Sequence, residues 1–277
     1  MFLRRGFTLV EIMVSLVLMV LVAVLGLRLF LLQHWTGVAQ GETAAVQAAL
    51  RAGSLFLTTE LRELGGSPGD PDILVFSPES LTYRAMRGTG VTCARAPGSV
   101  LVDAASFRGY RSVQTSRDSA MLHFEGRMDL SSDDRWIHLP VQSIGTSTCA
   151  GGAALQFTTT LDTTLFPLPR FAPLAPIRTF EIMQIRLYQS GGEYWLGARS
   201  VSAGETIQPL IGPLTSRGLA LSYRDSAGAT TTVAGNIRSI GITLRALSSI
   251  ATRKGGGAGV PARITDSLVT TVSLRNW

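Results

Sequence analysis

Residues 7–27 form an apolar run of 21 residues whose only ionisable side chain is Glu11. As an α-helix rising about 1.5 Å per residue, such a run reaches about 32 Å, enough to cross a hydrocarbon core of about 30 Å. Arg4 and Arg5 precede it, so the positive-inside rule keeps the N-terminus cytoplasmic and sends the chain after Arg28 across the membrane. Arg28 is placed to snorkel to the far interface. Two simpler readings compete. A secretory signal peptide also joins a basic start to an apolar centre, but it is shorter and ends in a small-x-small cleavage site, which does not follow here. A plain anchor leaves Glu11 unexplained, because a lone carboxylate costs roughly 2.5–3.5 kcal/mol at a bilayer centre and less near its edge.

The helical pattern continues past the membrane. No proline occurs before Pro68, and Ala44, Ala45, Ala48, Ala49, Leu50, Phe56, Leu57, Leu61 and Leu64 recur at helical spacing. Gly37, Gly41 and Gly53 each weaken a helix by up to about 1 kcal/mol relative to Ala, which predicts a flexed region near residues 37–41. Gly65-Gly66 ends the helix, and Pro68 and Pro71 prevent its resumption. His34 and Trp35 fall near the outer membrane surface, where their expected role is interfacial anchoring.

From Ile73 the pattern changes to short strands separated by Gly, Pro, Ser and Asp. "DILVFS" and "SLTYRAM" read as a pair joined by a tight Pro78-Glu79 turn, and "AMLHFEG", "RWIHLPV" and "AALQFTTT" as further strands. "FEIMQIRLYQSGGEYWLGARSV" alternates on both sides of Gly191-Gly192, a strong hairpin signal. "GLALSYRD", "IRSIGITLRAL" and "SLVTTVSLRNW" complete the set. "SSIATRKGGGAGVPAR" reads as a mobile loop and the Pro-rich "FPLPRFAPLAP" as a crossing between two sheet regions. The expected architecture is α+β: a long N-terminal transmembrane and amphipathic helix packed on a mostly antiparallel β head. The layout is residues 7–32 in the membrane, 33–66 as the outer half of the helix and 67–277 as the head.

Composition excludes more than it identifies. Hydrophobic residues at 45% and charged residues at 16% exclude a disordered chain. The formal charge of +6 comes almost entirely from scattered arginines, with Lys254 the only lysine, so no focused nucleic-acid patch is visible. Cys93 and Cys149 lack Cys-x-x-Cys spacing and provide too few soft ligands for a metal site. Outside the cytoplasm they are expected to form a disulfide; buried free thiols are the alternative. His34, His123 and His138 lack a nucleophile pattern around them. "RKGGGAG" lacks the Gly-Lys-Ser/Thr ending of a phosphate loop. "GDPD" and "DLSSDD" do not fit an EF-hand and read as solvated turns. Neither cofactor, metal nor catalytic residue is expected.

"RRGFTLVEIMVSL" resembles the class III signal of type IV pilins and pseudopilins: a basic leader, Gly6, then Phe7-Thr8-Leu9-Val10-Glu11. The resemblance implies that residues 1–6 are a leader. A prepilin peptidase would cut between Gly6 and Phe7 on the cytoplasmic face, and Phe7 would become a methylated N-terminus. Glu11 would then meet the Phe7 amine of a neighbouring subunit, a pairing that penalises wrong axial registers in an apolar helix bundle. Within one chain, Phe7 and Glu11 are also i and i+4, so a self-pair is the alternative.

"TTELRELGG", "LALSYRDSAG", "IRSIGITLRA" and "TTVSLRN" are similar to PilW-type minor pilins and to J-type pseudopilins of type II secretion. The central cysteines depart from major pilins, which often close a loop near the C-terminus, and Glu11 departs from the K-type pseudopilin at the extreme tip. The resemblance implies an inner-membrane protein with a periplasmic head that later enters a pilus or pseudopilus. Its implied partners are major and minor pilins, the peptidase, the inner membrane and its assembly platform, with nucleic acid added only for a DNA-uptake filament. The rival readings are a membrane-anchored periplasmic enzyme or binding module, and a tip adhesin.

Overall fold

A computed structural model describes residues 8–65, 69–125, 129–130, 134–162, 164–167, 174–253 and 260–275. One helix, α1 (Leu9–Arg62), runs without interruption for 54 residues, about 81 Å. Helical hydrogen bonding continues through residues 37–41, where the glycines are expected to weaken it. A Cβ placed on Gly37 or Gly41 would meet nothing within 4 Å, so neither glycine is required by a close neighbour. Their helical cost is absorbed by the good helix formers around them.

Burial along α1 follows one stripe: Val46, Leu50, Gly53, Leu57 and Leu61. Their offsets of four, three, four and four residues keep them on one face of a 3.6-residue helix. Gly53 is the closest point. A Cβ there would lie 2.7 Å from Ile211 Cδ1 and 2.9 Å from Leu244 Cδ1, so the missing side chain lets the sheet approach the helix backbone.

Thirteen strands form the head among the described residues, and all their pairings are antiparallel. They are β1 (Ile73–Ser77), β2 (Ser80–Ala96), β3 (Ser99–Asp103), β4 (Arg108–Gly109), β5 (Ser119–Phe124), β6 (Arg135–Pro140) and β7 (Ser143–Cys149). β8 (Gly152–Thr158), β9 (Pro176–Ser190), β10 (Glu193–Ser200), β11 (Gln208–Arg224), β12 (Ser239–Thr252) and β13 (Ala262–Ser273) follow. The main path runs β13-β12-β11-β10-β9-β2-β3-β8-β7, with β1 and β4 on β2, and β5 between β9 and β6. The helix lies on β11, β12 and β13.

Both expected tight hairpins are present. Ser77 opposes Ser80 across Pro78-Glu79, and Ser190 opposes Glu193 across Gly191-Gly192. Both glycines have positive φ, 61° and 82°, as a turn matched to strand twist requires. The stretch read as a mobile loop is partly strand, since β12 continues to Thr252 and β13 begins at Ala262. Residues 254–259, where the rest of that expectation falls, lie outside the described residues. So do residues 168–173, the middle of the Pro-rich crossing between β8 and β9. The last strand ends at Ser273 rather than at the final residue.

Two apolar clusters fill the head. The larger joins Leu50, Leu57, Leu61 and Leu64 to Leu81, Tyr83, Leu196, Leu214, Ile242 and Leu244. The smaller, around Val100, Leu122, Ile137, Phe157 and Ile177, lies under β3, β5, β6 and β8. At its margin Cys93 and Cys149 are bonded, with Cα atoms 6.0 Å apart. They sit on β2 and β7, the first and fourth strands of the order β2-β3-β8-β7. In a flat sheet three inter-strand steps span about 14 Å. The sheet therefore curls until its two outer strands meet, and the disulfide holds it there.

Two stability predictions follow from this packing. Gly53→Leu should cost about 1–3 kcal/mol by overpacking against Ile211 and Leu244, whereas Gly37→Ala should gain up to about 1 kcal/mol. Chemical unfolding of the two variants in detergent distinguishes them, and equal effects would refute the close approach. Replacing both cysteines by serine should remove up to about 4 kcal/mol, given the 56-residue separation. An unchanged denaturant midpoint would count against a bonded pair.

Candidate assembly helix

Thr8 caps the helix in extended geometry. The Glu11 N–H donates to Thr8 Oγ1 at 3.2 Å, while the Thr8 N–H and hydroxyl both donate to Glu11 Oε2 at 3.3 Å. This is a capping box, and it satisfies helix N–H groups that have no intrahelical partner. The negative end group also faces the positive end of the helix dipole. The Thr-x-x-Glu spacing of residues 8–11 is the sequence signature of this cap, within a run whose apolarity otherwise makes Glu11 look like a misplaced charge. Gly6 and Phe7, and with them the proposed cleavage point and self-pair, lie outside the described residues. In the described part, Glu11 is bonded to Thr8.

Residues 8–34 are exposed throughout, including Leu16, Leu21, Leu25 and Phe30 at 55–65% of their full area. The segment is long and apolar enough to cross a membrane, and none of its most apolar window is buried. Contact with the head begins at Trp35, which is half-buried under the Arg253 guanidinium, 4.8 Å from the ring centroid. Trp35, expected as a membrane anchor, thus also touches the head. His34 is exposed.

At its other end the helix is fastened by polar contacts. Glu60 accepts from the Tyr83 hydroxyl at 3.1 Å and from Arg87 Nη1 at 3.1 Å. Arg87 also binds Glu181, a buried carboxylate on β9. Arg117 Nε donates to Glu181 Oε2 at 2.8 Å, and Arg111 forms a two-pronged pair with Asp118 at 2.6 and 2.7 Å. Burial would raise the Glu181 carboxyl, but its bonds to Arg87 and Ser200 and the nearby Arg117 charge outweigh it and hold it below the usual range. Burial would likewise lower Arg87, and Glu60 with Glu181 reverses this. Burial, followed by Glu60, pushes the Tyr83 hydroxyl well above its ordinary value. Every charge here has a partner, so the network fixes geometry more than it adds stability.

Asp72 completes the fastening. Its Oδ2 accepts from the Gly65 N–H at 2.6 Å, and its own N–H donates to Gly65 O. The "GDPD" acids are thus engaged in structure, Asp70 with Arg84 at 2.7 Å and Asp72 with the end of the helix. His138 Nε2 lies 2.7 Å from Asp70 Oδ2, and the His123 ring meets Trp136 edge-on. Among the described residues, no group of three His, Cys, Asp or Glu side chains is arranged to hold a metal ion.

The prokaryotic N-terminal methylation motif matches residues 1–27. That motif is the type IV pilin-like prepilin signal, and it implies processing by a prepilin peptidase and assembly with other pilins. No curated protein and no solved structure matches the chain. The match ends at Leu27 within α1, and the β-strands lie outside it.

Burial raises Asp72 from an ordinary 3.8 to about 6. The folded state therefore favours its protonated form. The associated stability is complete below about pH 4 and is lost as pH rises through 6. Asp72→Asn should remove this loss, so its stability relative to the parent should shift in the variant's favour by up to about 3 kcal/mol between pH 4 and 7. A difference that stays flat across that range would refute the assignment.

Proposed function

We propose that this chain is a minor pilin of the PilW type, inserted in the bacterial inner membrane with its head in the periplasm. It is processed between Gly6 and Phe7 and joins the complex that starts a type IV pilus at its tip. It has no catalytic role. The observation that carries this reading is a prepilin signal on a helix whose first 24 residues are bare and, apart from Glu11, Ser15 and Arg28, apolar, and whose last turns are buried in a β head. Bare apolar surface on this scale needs either lipid or other helices around it. A pilin passes from one to the other.

The mechanism is docking. Before assembly, Glu11 is satisfied by Thr8. In a filament, the methylated Phe7 amine of an adjacent subunit offers a full positive charge. Exchange of the weak, 3.3 Å Thr8 contacts for a charge pair is favourable in a low-dielectric bundle only in the matching register. The apolar helix supplies adhesion and Glu11 supplies selection. The central disulfide and elaborate head favour a minor subunit over a major one. A J-type pseudopilin of type II secretion shares these features and is the second reading. Co-purification from detergent with sibling subunits separates the two by the machine recovered.

N-terminal sequencing of the mature protein should return methyl-Phe7. An intact Met1, or a start beyond Gly26, would instead mark a membrane-anchored periplasmic module. Glu11→Ala should leave processing intact and deplete the subunit from sheared filaments. Normal incorporation would refute register selection.

A further inference from the structure

The end of α1 farthest from its apolar segment borders an open groove. One hollow of about 610 Å³ lies between Glu63, β2, β4 and β9, and Arg108, Arg178, Arg275 and Tyr110 line it. A second, of about 430 Å³, shares Glu63, Met86, Arg87 and Tyr110 with the first, so the two form one groove. Its wall is built by a close approach. β4 pairs with β2 through Gly88–Gly109 and Thr89–Arg108. A Cβ on Gly109 would lie 2.8 Å from the Arg87 carbonyl oxygen and 3.0 Å from that of Arg111, so only glycine lets β4 lie this close. The Tyr110 N–H then donates to Arg87 O at 3.0 Å, which fixes the backbone, while the residue stays 74% exposed. A bare aromatic on a fixed backbone loses little freedom on binding, and Tyr and Arg are enriched where proteins meet.

The arginines differ in how far their charge is spent. Arg87 is neutralised by Glu60 and Glu181. Arg108 Nη1 donates to the neutral carbonyls of Ala105 and Phe107 at 2.8 and 2.9 Å, which leaves Nε, Nη2 and the full charge. Arg178 is half-buried with its guanidinium 5.2 Å from the Trp136 ring centroid, an arrangement that leaves edge N–H groups available. Asp72 is near enough to feel the Arg178 charge. Among the described residues, however, neither Arg108 nor Arg178 has an ion-pair partner, and Arg178 donates no hydrogen bond. The Arg275 side chain is 68% exposed and comes no nearer to Glu63 than 3.8 Å. Against these three cations the first hollow presents one acid, Glu63.

The surplus suits a small number of carboxylates, which guanidinium groups bind in two-pronged geometry. Glu63 lies 31 residues beyond Leu32, about 46 Å along the helix, so the groove is remote from lipid when α1 spans a membrane. A nucleic acid needs a track of cations, and the neighbouring Arg111 and Arg117 are already paired with Asp118, Glu181 and Glu205. We propose that this groove binds an acidic segment of a partner subunit, whose carboxylates meet Arg178, Arg108 and Arg275 while Tyr110 packs against the chain between them. The proposal names a contact for the docking reading above and rests on that reading.

The test uses the full-length protein with its native disulfide. In detergent, a fluorescent, end-capped peptide of alternating glutamate and leucine should bind at least about tenfold more tightly than its glutamine counterpart. Arg178→Gln should weaken the glutamate peptide by a similar factor, and Arg275→Gln, at an exposed position that does not threaten the fold, should act in the same direction. Arg51→Gln, on the exposed face of α1 outside the groove, should change nothing. In cells that make the filament, a benzoylphenylalanine photo-cross-linker in place of Tyr110 should couple to an acidic stretch of another chain that carries a prepilin signal, and Arg178→Gln should abolish the product. Equal affinity for the two peptides, displacement of the glutamate peptide by a single-stranded oligonucleotide at equal charge, or a cross-link to nucleic acid or to a stretch without acids would overturn the proposal. Filaments that contain the chain but show no cross-link at residue 110 would overturn it and leave the pilin reading intact. Absence of the chain from sheared filaments would overturn that reading and the proposal with it.

Discussion

The contact between one stripe of α1 and the sheet beneath it governs the arrangement of the rest of the chain. Val46, Leu50, Leu57 and Leu61 give that contact its apolar area, and Gly53 gives it proximity. Burying a Leu side chain stabilises by about 1.5–3 kcal/mol, so these few residues anchor a helix that is otherwise bare for half its length. Everything N-terminal to Trp35 depends on this attachment for a defined direction, because it touches no other part of the head among the described residues.

The two ends of the helix use opposite chemistry. At Arg62 the last turn is held by a backbone bond from Arg275, by the Asp72 carboxylate at Gly65 and by the Glu60–Arg87–Glu181 chain of charges. At Leu9, among the described residues, there is the Thr8–Glu11 box, whose bonds sit at the long end of the hydrogen-bond range. A firmly held distal end and a weakly satisfied proximal carboxylate suit a subunit whose head is finished before its helix finds partners. The curled β2-β3-β8-β7 sheet belongs to that finished head. Its two outer strands, β2 and β7, are tied to one another by the Cys93–Cys149 bond.

Legibility in the sequence followed physical range. The helix was readable because its apolar residues repeat within a turn or two, and the β9–β10 hairpin because Gly191-Gly192 carries its own turn geometry. β7, "SIGTSTC", was not readable: it is largely exposed and polar, and it is a strand because β8 pairs with it and Cys149 is bonded. The first half of β11 was hidden by Pro209, Gly212 and Pro213, which normally argue against a strand. Gly53 looked like Gly37 and Gly41 in sequence, and only the positions of Ile211 and Leu244 separate them. Arg87 and Glu181 lie 94 residues apart, a distance over which no local pattern extends. Of the candidate site, the Thr8–Glu11 cap is legible in the Thr-x-x-Glu spacing, whereas the network around Glu181 joins residues too far apart for any local pattern.

The unbroken course of α1 has a geometric corollary. Gly53 lies 42 positions after Glu11 on one continuous helix, so the compass bearing of Glu11 around the axis is set by how the glycine notch seats on Ile211 and Leu244. Each residue turns that bearing by about 100°. Deleting or inserting a single amino acid in the linking stretch would swing the carboxylate to a different quadrant relative to the head, while shifting its height by only about 1.5 Å. The rod behaves as a torsional key, in which the face the head shows to its surroundings and the side on which its acid lies are a single, inherited choice.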